Sequence, residues 1–207
     1  MDKFEEHLKY STDIEHTRRM KIHGHQFHHD SQIKDRPGEL FRVVGKVSGD
    51  WTNELYTTRD QGQLAHWGRK DEIYIHPVND TTPQLNKILE VLQFKRIIAS
   101  QVQTQKPGDT VVKHLDDFSI FESSPDEKII RLLITLHDWE AGQYMSFGNT
   151  GYQGWQPGEV IYSDFEKIPH ATANLSWNPR SIICVTGVVS TFTTEILAYG
   201  LGEVAIS

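Results

Sequence analysis

The chain has a single cysteine, Cys184, in 207 residues, so no intrachain disulfide can form, and its setting in SIICVTGVV reads as a buried strand residue. No stretch approaches the roughly 18 consecutive apolar residues of a membrane span, and the opening MDKFEEHLKY is charged, without an apolar signal core. A cytoplasmic location and no membrane partner are expected. There is no basic excess either: 21 Lys and Arg face 28 Asp and Glu, for a formal net charge of -7, which argues against a general nucleic-acid surface. Internal repeats, low-complexity tracts and Pro/Ser-rich linkers are absent, so residues 1–207 are expected to form one domain, of a length ordinary for an all-β fold. Oligomeric state is not legible.

What is there divides at residue 82. Residues 1–82 are polar and histidine-rich, with strand-like fragments at LFRVVGKV and EIYIHPV, and read as an N-terminal support region. In TTPQLNKILEVLQF, Thr82 in the cap position, Pro83 at the first helical position and Leu85, Ile88, Leu89 and Leu92 at helical spacing predict one amphipathic helix. From there to 207 the texture is short β-branched and aromatic runs between turn signals. Strands are predicted near 95–104, 110–118, 128–137, 143–148, 158–162, 167–174, 180–189 and 192–199. Eight strands fit a jelly roll, with the helix bracing a sheet.

Two His-x-Asp triplets compete for a metal. In a strand, residues i and i+2 share a face, so such a triplet presents an imidazole and a carboxylate to one ion. Chance alone supplies about one in a chain this rich in histidine. The first, His28 and Asp30, lies in HGHQFHHDSQIKDRPG, which has no β alternation, and neither His66 nor His76 is followed by an arginine at a useful interval. It reads as a solvated loop. The second, His114 and Asp116, lies in TVVKHLDDF after the strand RIIASQVQTQ and the turn KPGD, with Asp117 facing the other way. A third ligand is expected from a later strand, where EKIPHATANLSWNPR offers His170. Two histidines and one carboxylate leave three octahedral positions open, the arrangement non-haem Fe(II) uses for a co-substrate and oxygen. Ten residues beyond His170, Arg180 opens an apolar strand, and a dicarboxylate best explains a permanent charge there.

PGDTVVKHLDD, RLLITLHDWEAGQYMSFGN, WQPGEVIYSD and PHATANLSWNPR, spread over residues 83–192, resemble the Fe(II)/2-oxoglutarate-dependent oxygenases, particularly small prolyl-hydroxylase-like and virus-encoded members. The resemblance implies an all-β core with flanking helices, folded as a double-stranded β-helix of jelly-roll or cupin-like form. It implies His114, Asp116 and His170 as ligands to Fe(II), which would also be the catalytic residues, with Arg180 binding the far carboxylate of 2-oxoglutarate. The implied reaction is hydroxylation of an unidentified small-molecule or protein substrate, with O2 consumed, succinate and CO2 released, and ascorbate as an auxiliary reductant. Prolyl hydroxylases often have a tyrosine three residues before the first ligand and a lysine near the arginine; here Val111 and Arg180 stand, which leaves the substrate open.

Arginine needs help from a hydroxyl or amide to hold a carboxylate, and Gln103, Thr135 and Thr172 are the cofactor-binding candidates, with Gln101 also on a bordering strand. Asn174 either orients a ligand or holds a turn. Trp139, Tyr144, Trp155 and Trp177 read as packing at core or rim, with a platform for a flat or peptide substrate as the alternative, and Arg131 as a solvated strand end or a partner for a substrate acid. Two rivals stand beside the oxygenase: a cupin-type metalloenzyme that uses no 2-oxo acid, which Arg180 argues against, and a non-catalytic jelly-roll binding protein, which the complete ligand set argues against.

Overall fold

The structure is a computed structural model that describes residues 40–65 and 73–206. Among them twelve strands and three helices follow one another: β1 (Arg42–Ser48), α1 (Thr52–Gln61), β2 (Gln63–Ala65), β3 (Ile73–Pro77), α2 (Pro83–Leu92), β4 (Arg96–Gln105), β5 (Thr110–His114) and β6 (Ile129–Thr135). There follow β7 (Gln143–Phe147), β8 (Thr150–Tyr152), β9 (Glu159–Tyr162), β10 (His170–Asn174), β11 (Arg180–Val188), α3 (Thr191–Tyr199) and β12 (Gly202–Ala205). They form an eight-stranded sheet in the order β12-β1-β9-β6-β11-β4-β3-β2 and a four-stranded sheet in the order β5-β10-β7-β8. Two sheets of mostly antiparallel strands, not closed into a barrel, make a jelly roll of the double-stranded β-helix kind. No helix among the described residues is long and apolar enough to cross a membrane.

Alternation along the central strands sorts the large sheet into two faces. Ile130, Leu132 and Ile134 of β6, with Ile183 and Val185 of β11 and Val102 of β4, pack against Leu85, Ile88, Leu89 and Leu92 of α2 and Ile196 and Leu197 of α3. The helices therefore cover one face and bury its apolar stripe. The intervening residues Arg131, Leu133 and Thr135, register partners of Thr186, Cys184 and Ile182, point the other way, together with Gln101, Gln103 and Gln105 of β4. That second, polar-studded face is where a site has room to form.

The helix over 83–92 is where the periodicity predicts it, but Thr82 does not cap it through its side chain. Glu54 of α1 does so instead, accepting from the amides of Gln84 at 2.7 Å and Leu85 at 2.8 Å. Residues 192–199, expected as a strand, form α3. Ser190 and Thr193 close a capping box, and Thr193 Oγ1 also donates to the Leu92 carbonyl at the end of α2. The β-branched residues that suggested a strand are absorbed into that cap.

Candidate metal centre

His114 is the last residue of β5 and His170 the first of β10, and the two are register partners in the small sheet. The strand expected over 110–118 stops at His114; beyond it the Asp116 amide donates to the Phe165 carbonyl at 2.9 Å, which turns the Asp116 carboxylate back toward the histidines. Candidate ligand atoms of His114, Asp116 and His170 lie within 4.8 Å of one another. Asp116 Oδ1 is 3.6 Å from His114 Nε2 and 3.7 Å from His170 Nε2.

Each imidazole is oriented from behind. His114 Nδ1 is 2.9 Å from the Val112 carbonyl and His170 Nδ1 is 3.3 Å from the Ile168 carbonyl. A carbonyl only accepts, so Nδ1 carries the proton and the Nε2 lone pair faces the carboxylate, the tautomer a metal needs. Phe165 packs edge-on against the His170 ring at 4.8 Å between centroids. Burial and the neighbouring His114 push the His170 pKa down to about 4, so the ring is neutral near pH 7. Burial acts to raise the Asp116 pKa, but the polar neighbours His114, Arg131 and His170 outweigh it and hold the carboxyl below its ordinary value. Two imidazoles and one carboxylate without a thiolate suit a non-haem Fe(II) site, and the tautomers and ionisation fit one.

Arg131 was expected to be solvated at a strand end; the structure corrects this. Its Nη1 is 2.6 Å from Asp116 Oδ2 and its Nε donates to Thr186 Oγ1 at 2.9 Å. Asp117 faces away, accepting from the amide and hydroxyl of Ser119.

Arg180 is 2 % exposed, and neither its Nε nor its Nη1 has a partner. Its register partner Gln105 is 1 % exposed, with neither amide atom partnered, and Thr172 Oγ1 is likewise buried and unpartnered. Burial with no opposing charge pushes the Arg180 pKa down to about 9. Asn174 Nδ2 donates to the Gln105 carbonyl, which fastens the end of β10 beside Gln105 and Arg180. His170, Thr172 and Asn174 share one face of β10, so Thr172 stands about 7 Å along the strand from His170. Trp155, buried, lies 5.9 Å from the Arg180 guanidinium carbon.

Of the other sequence candidates, Gln103 is half-buried on the same face as Gln105, between Ile75 and Ile182. The Thr135 hydroxyl is committed to the turn before β9, donating to the Gln156 carbonyl and accepting from the Glu159 amide. Asn174 holds a turn, accepting from the Ser176 amide while donating to Asn178 and Gln105. Trp139 donates its indole N–H to the Gln143 carbonyl, and Trp177 is 94 % exposed. His76 sits buried on β3 with Nδ1 on the Pro77 carbonyl, whereas His66 and the His23–Asp30 cluster lie outside the described residues. Sequence reasoning missed Gln105, which alternation alone would have placed on the face it did identify.

No protein-family model matches the chain, and no curated protein does. Solved structures do. A non-haem alpha-ketoglutarate-dependent epimerase, SnoN of nogalamycin biosynthesis, aligns at 15% identity over 72% of this chain and 77% of its own, with a TM-score of 0.55. HygX from Streptomyces hygroscopicus, solved with nickel and 2-oxoglutarate bound, aligns at 13% identity over 74% of this chain and 84% of its own, with a TM-score of 0.51. The viral collagen prolyl hydroxylase of Paramecium bursaria Chlorella virus-1, in a 2-oxoglutarate complex, aligns at 15% identity over 75% of this chain and 98% of its own, with a TM-score of 0.50. At these identities the likeness is one of fold.

Proposed function

We propose that this chain is an Fe(II)- and 2-oxoglutarate-dependent dioxygenase that hydroxylates a small-molecule or protein substrate. The observation that carries the reading is the set of unpartnered buried polar atoms on Arg180, Gln105 and Thr172 in a fold that also gathers a His-Asp-His cluster. Each buried polar atom left without a partner costs about 1–3 kcal/mol, and an uncompensated buried cation more, so an anionic ligand is what these groups suit. A dicarboxylate long enough to bridge from the cluster to Arg180 meets that need. A cupin-type metalloenzyme working without a 2-oxo acid would have no use for Arg180.

In this reading His114, Asp116 and His170 hold Fe(II), with their Nδ1 and backbone contacts fixing the ring planes. The guanidinium of Arg180 pairs with the far carboxylate, the Gln105 amide and the Thr172 hydroxyl bond its remaining oxygen lone pairs, and Trp155 keeps the charge dry. The bound metal supplies the oxygen chemistry, in which O2 delivers one atom to the substrate C–H bond and the other to succinate as 2-oxoglutarate loses CO2. Ascorbate would serve only to keep the metal ferrous.

Anaerobic addition of Fe(II) and then 2-oxoglutarate tests this. The expected result is a visible metal-to-ligand charge-transfer band, followed by succinate on exposure to air. His114→Ala, Asp116→Ala and His170→Ala should each lose both signals while remaining folded. Succinate production by the triple alanine variant would end the assignment.

A further inference from the structure

Asp116 has two oxygens, and the fold treats them differently. Oδ1 is nearly equidistant from the two histidine Nε2 atoms, at 3.6 and 3.7 Å, whereas Oδ2 is engaged by Arg131 Nη1 at 2.6 Å. The guanidinium is itself restrained. Its Nε donates to Thr186 Oγ1 at 2.9 Å on the adjacent strand, where the two residues are register partners, and the Phe118 ring lies 5.3 Å from Cζ on its side. Arg131 comes from β6 of the large sheet and Asp116 from beyond β5 of the small one, so the pair also ties the two sheets together at the metal ligands.

An octahedral ion held by two imidazoles and one carboxylate oxygen keeps three open positions, enough for a chelating 2-oxo acid and one more ligand. A carboxylate binding through both oxygens would take one of those away. We propose that Arg131 is a positioning residue that fixes Asp116 as a one-oxygen ligand, by holding Oδ2 in a charge-assisted pair anchored on Thr186. The inference rests on the reading of His114, Asp116 and His170 as a metal centre, and it predicts how that centre behaves when the arginine is changed. Phe118 and Thr186 do not touch the ligand atoms; they act through the guanidinium.

The test is a count of metal-bound water. Wild type, Arg131→Met, Arg131→Lys and Thr186→Val are loaded with Mn(II) in water enriched in 17O, and the broadening of the electron paramagnetic resonance lines gives the number of coordinated waters. Wild type should hold three. Arg131→Met should hold two, because the freed Oδ2 swings onto the metal, and Arg131→Lys, which keeps a cationic donor, should return toward three. Should Arg131→Met fail to fold, the near-isosteric Thr186→Val takes its place and should fall below the wild-type count. Three waters in Arg131→Met, or in Thr186→Val where it stands in, overturn the role of Arg131 and leave the metal centre intact. A wild-type protein that binds no Mn(II) overturns the metal centre and this inference with it.

Discussion

The role proposed for Arg180 works against stability. A guanidinium 2 % exposed, with two unpartnered nitrogens and a pKa pushed down to about 9 by burial, is a charge the ligand-free fold must carry without compensation. Arg180→Met keeps length and apolar bulk and removes that charge. The ligand-free variant should therefore be more stable than wild type by on the order of 1–4 kcal/mol, read as a higher thermal midpoint. Its affinity for 2-oxoglutarate should fall by on the order of 2–5 kcal/mol, more than tenfold, with Fe(II) affinity little changed; calorimetric titration with and without metal separates the two. Arg180→Lys should lie between, since an ammonium keeps charge but not the planar fork. If Arg180→Met binds 2-oxoglutarate as wild type does, the dicarboxylate argument fails. His114, Asp116, His170 and Arg180 stand out in the sequence because each is a charged or imidazole group at a fixed spacing within or just beyond a strand. Gln105 was not chosen although Gln101 and Gln103 on its face were, because which end of β4 meets Arg180 is set by pairing with β11, a non-local fact. Arg131 was misjudged for the same reason: its partner Asp116 arrives from the other sheet.

At the scale of elements, local signals worked where they were strong and failed where context decided. The helix over 83–92 carries four buried leucines and isoleucines on one face, so periodicity alone finds it. Helix α1 has almost no amphipathic signal, burying only Leu55 and Thr58, and its order follows from packing and from Glu54 reaching the start of α2. Helix α3 was mistaken for a strand because Thr191, Phe192, Thr193, Thr194 and Ile196 all favour strands, whereas the Ser190 capping box outweighs them. Ser190→Ala removes the acceptor for the Thr193 amide and should cost about 0.5–2 kcal/mol in a urea titration, with the slope unchanged. The turn before β9 makes a sharper demand. Gly158 has φ +81°, and a Cβ there would overlap the Val47 carbonyl that lies against it. Gly158→Ala should destabilise by more than the roughly 1 kcal/mol of an ordinary glycine replacement, and the same denaturation measurement shows it.

For the molecule as a whole, buried neutral imidazoles and a depressed carboxylate all make stability depend on pH in one direction. His170 is held near pKa 4 by burial and His114, against 6.5 for a free imidazole. His137 is also lowered, chiefly by burial, in a ring that accepts the Ser181 amide at Nε2 and donates from Nδ1 to the Asp138 carbonyl. Burial acts to raise Asp116, but its neighbours His114 and Arg131 outweigh that and lower it. In each case the unfolded chain binds protons more readily than the fold. The stability the two histidines contribute is therefore complete above about pH 6.5 and is lost as pH falls toward 4, with His170 alone worth on the order of 3 kcal/mol across that window, whereas the contribution of Asp116 is lost only as pH falls below the ordinary carboxylate value. A metal on His114, Asp116 and His170 competes with those same protons, so the loaded protein should have the higher denaturation midpoint at pH 8, by a margin that shrinks as pH falls. Urea titrations from pH 8 to pH 4, with and without Mn(II) under nitrogen, give the comparison. Metal-free and loaded curves that coincide at every pH would mean that the ion does not engage the histidines, whereas a gap present at pH 8 that closes as protons displace the ion toward pH 4 identifies the imidazoles as its ligands through a property of the fold rather than through turnover.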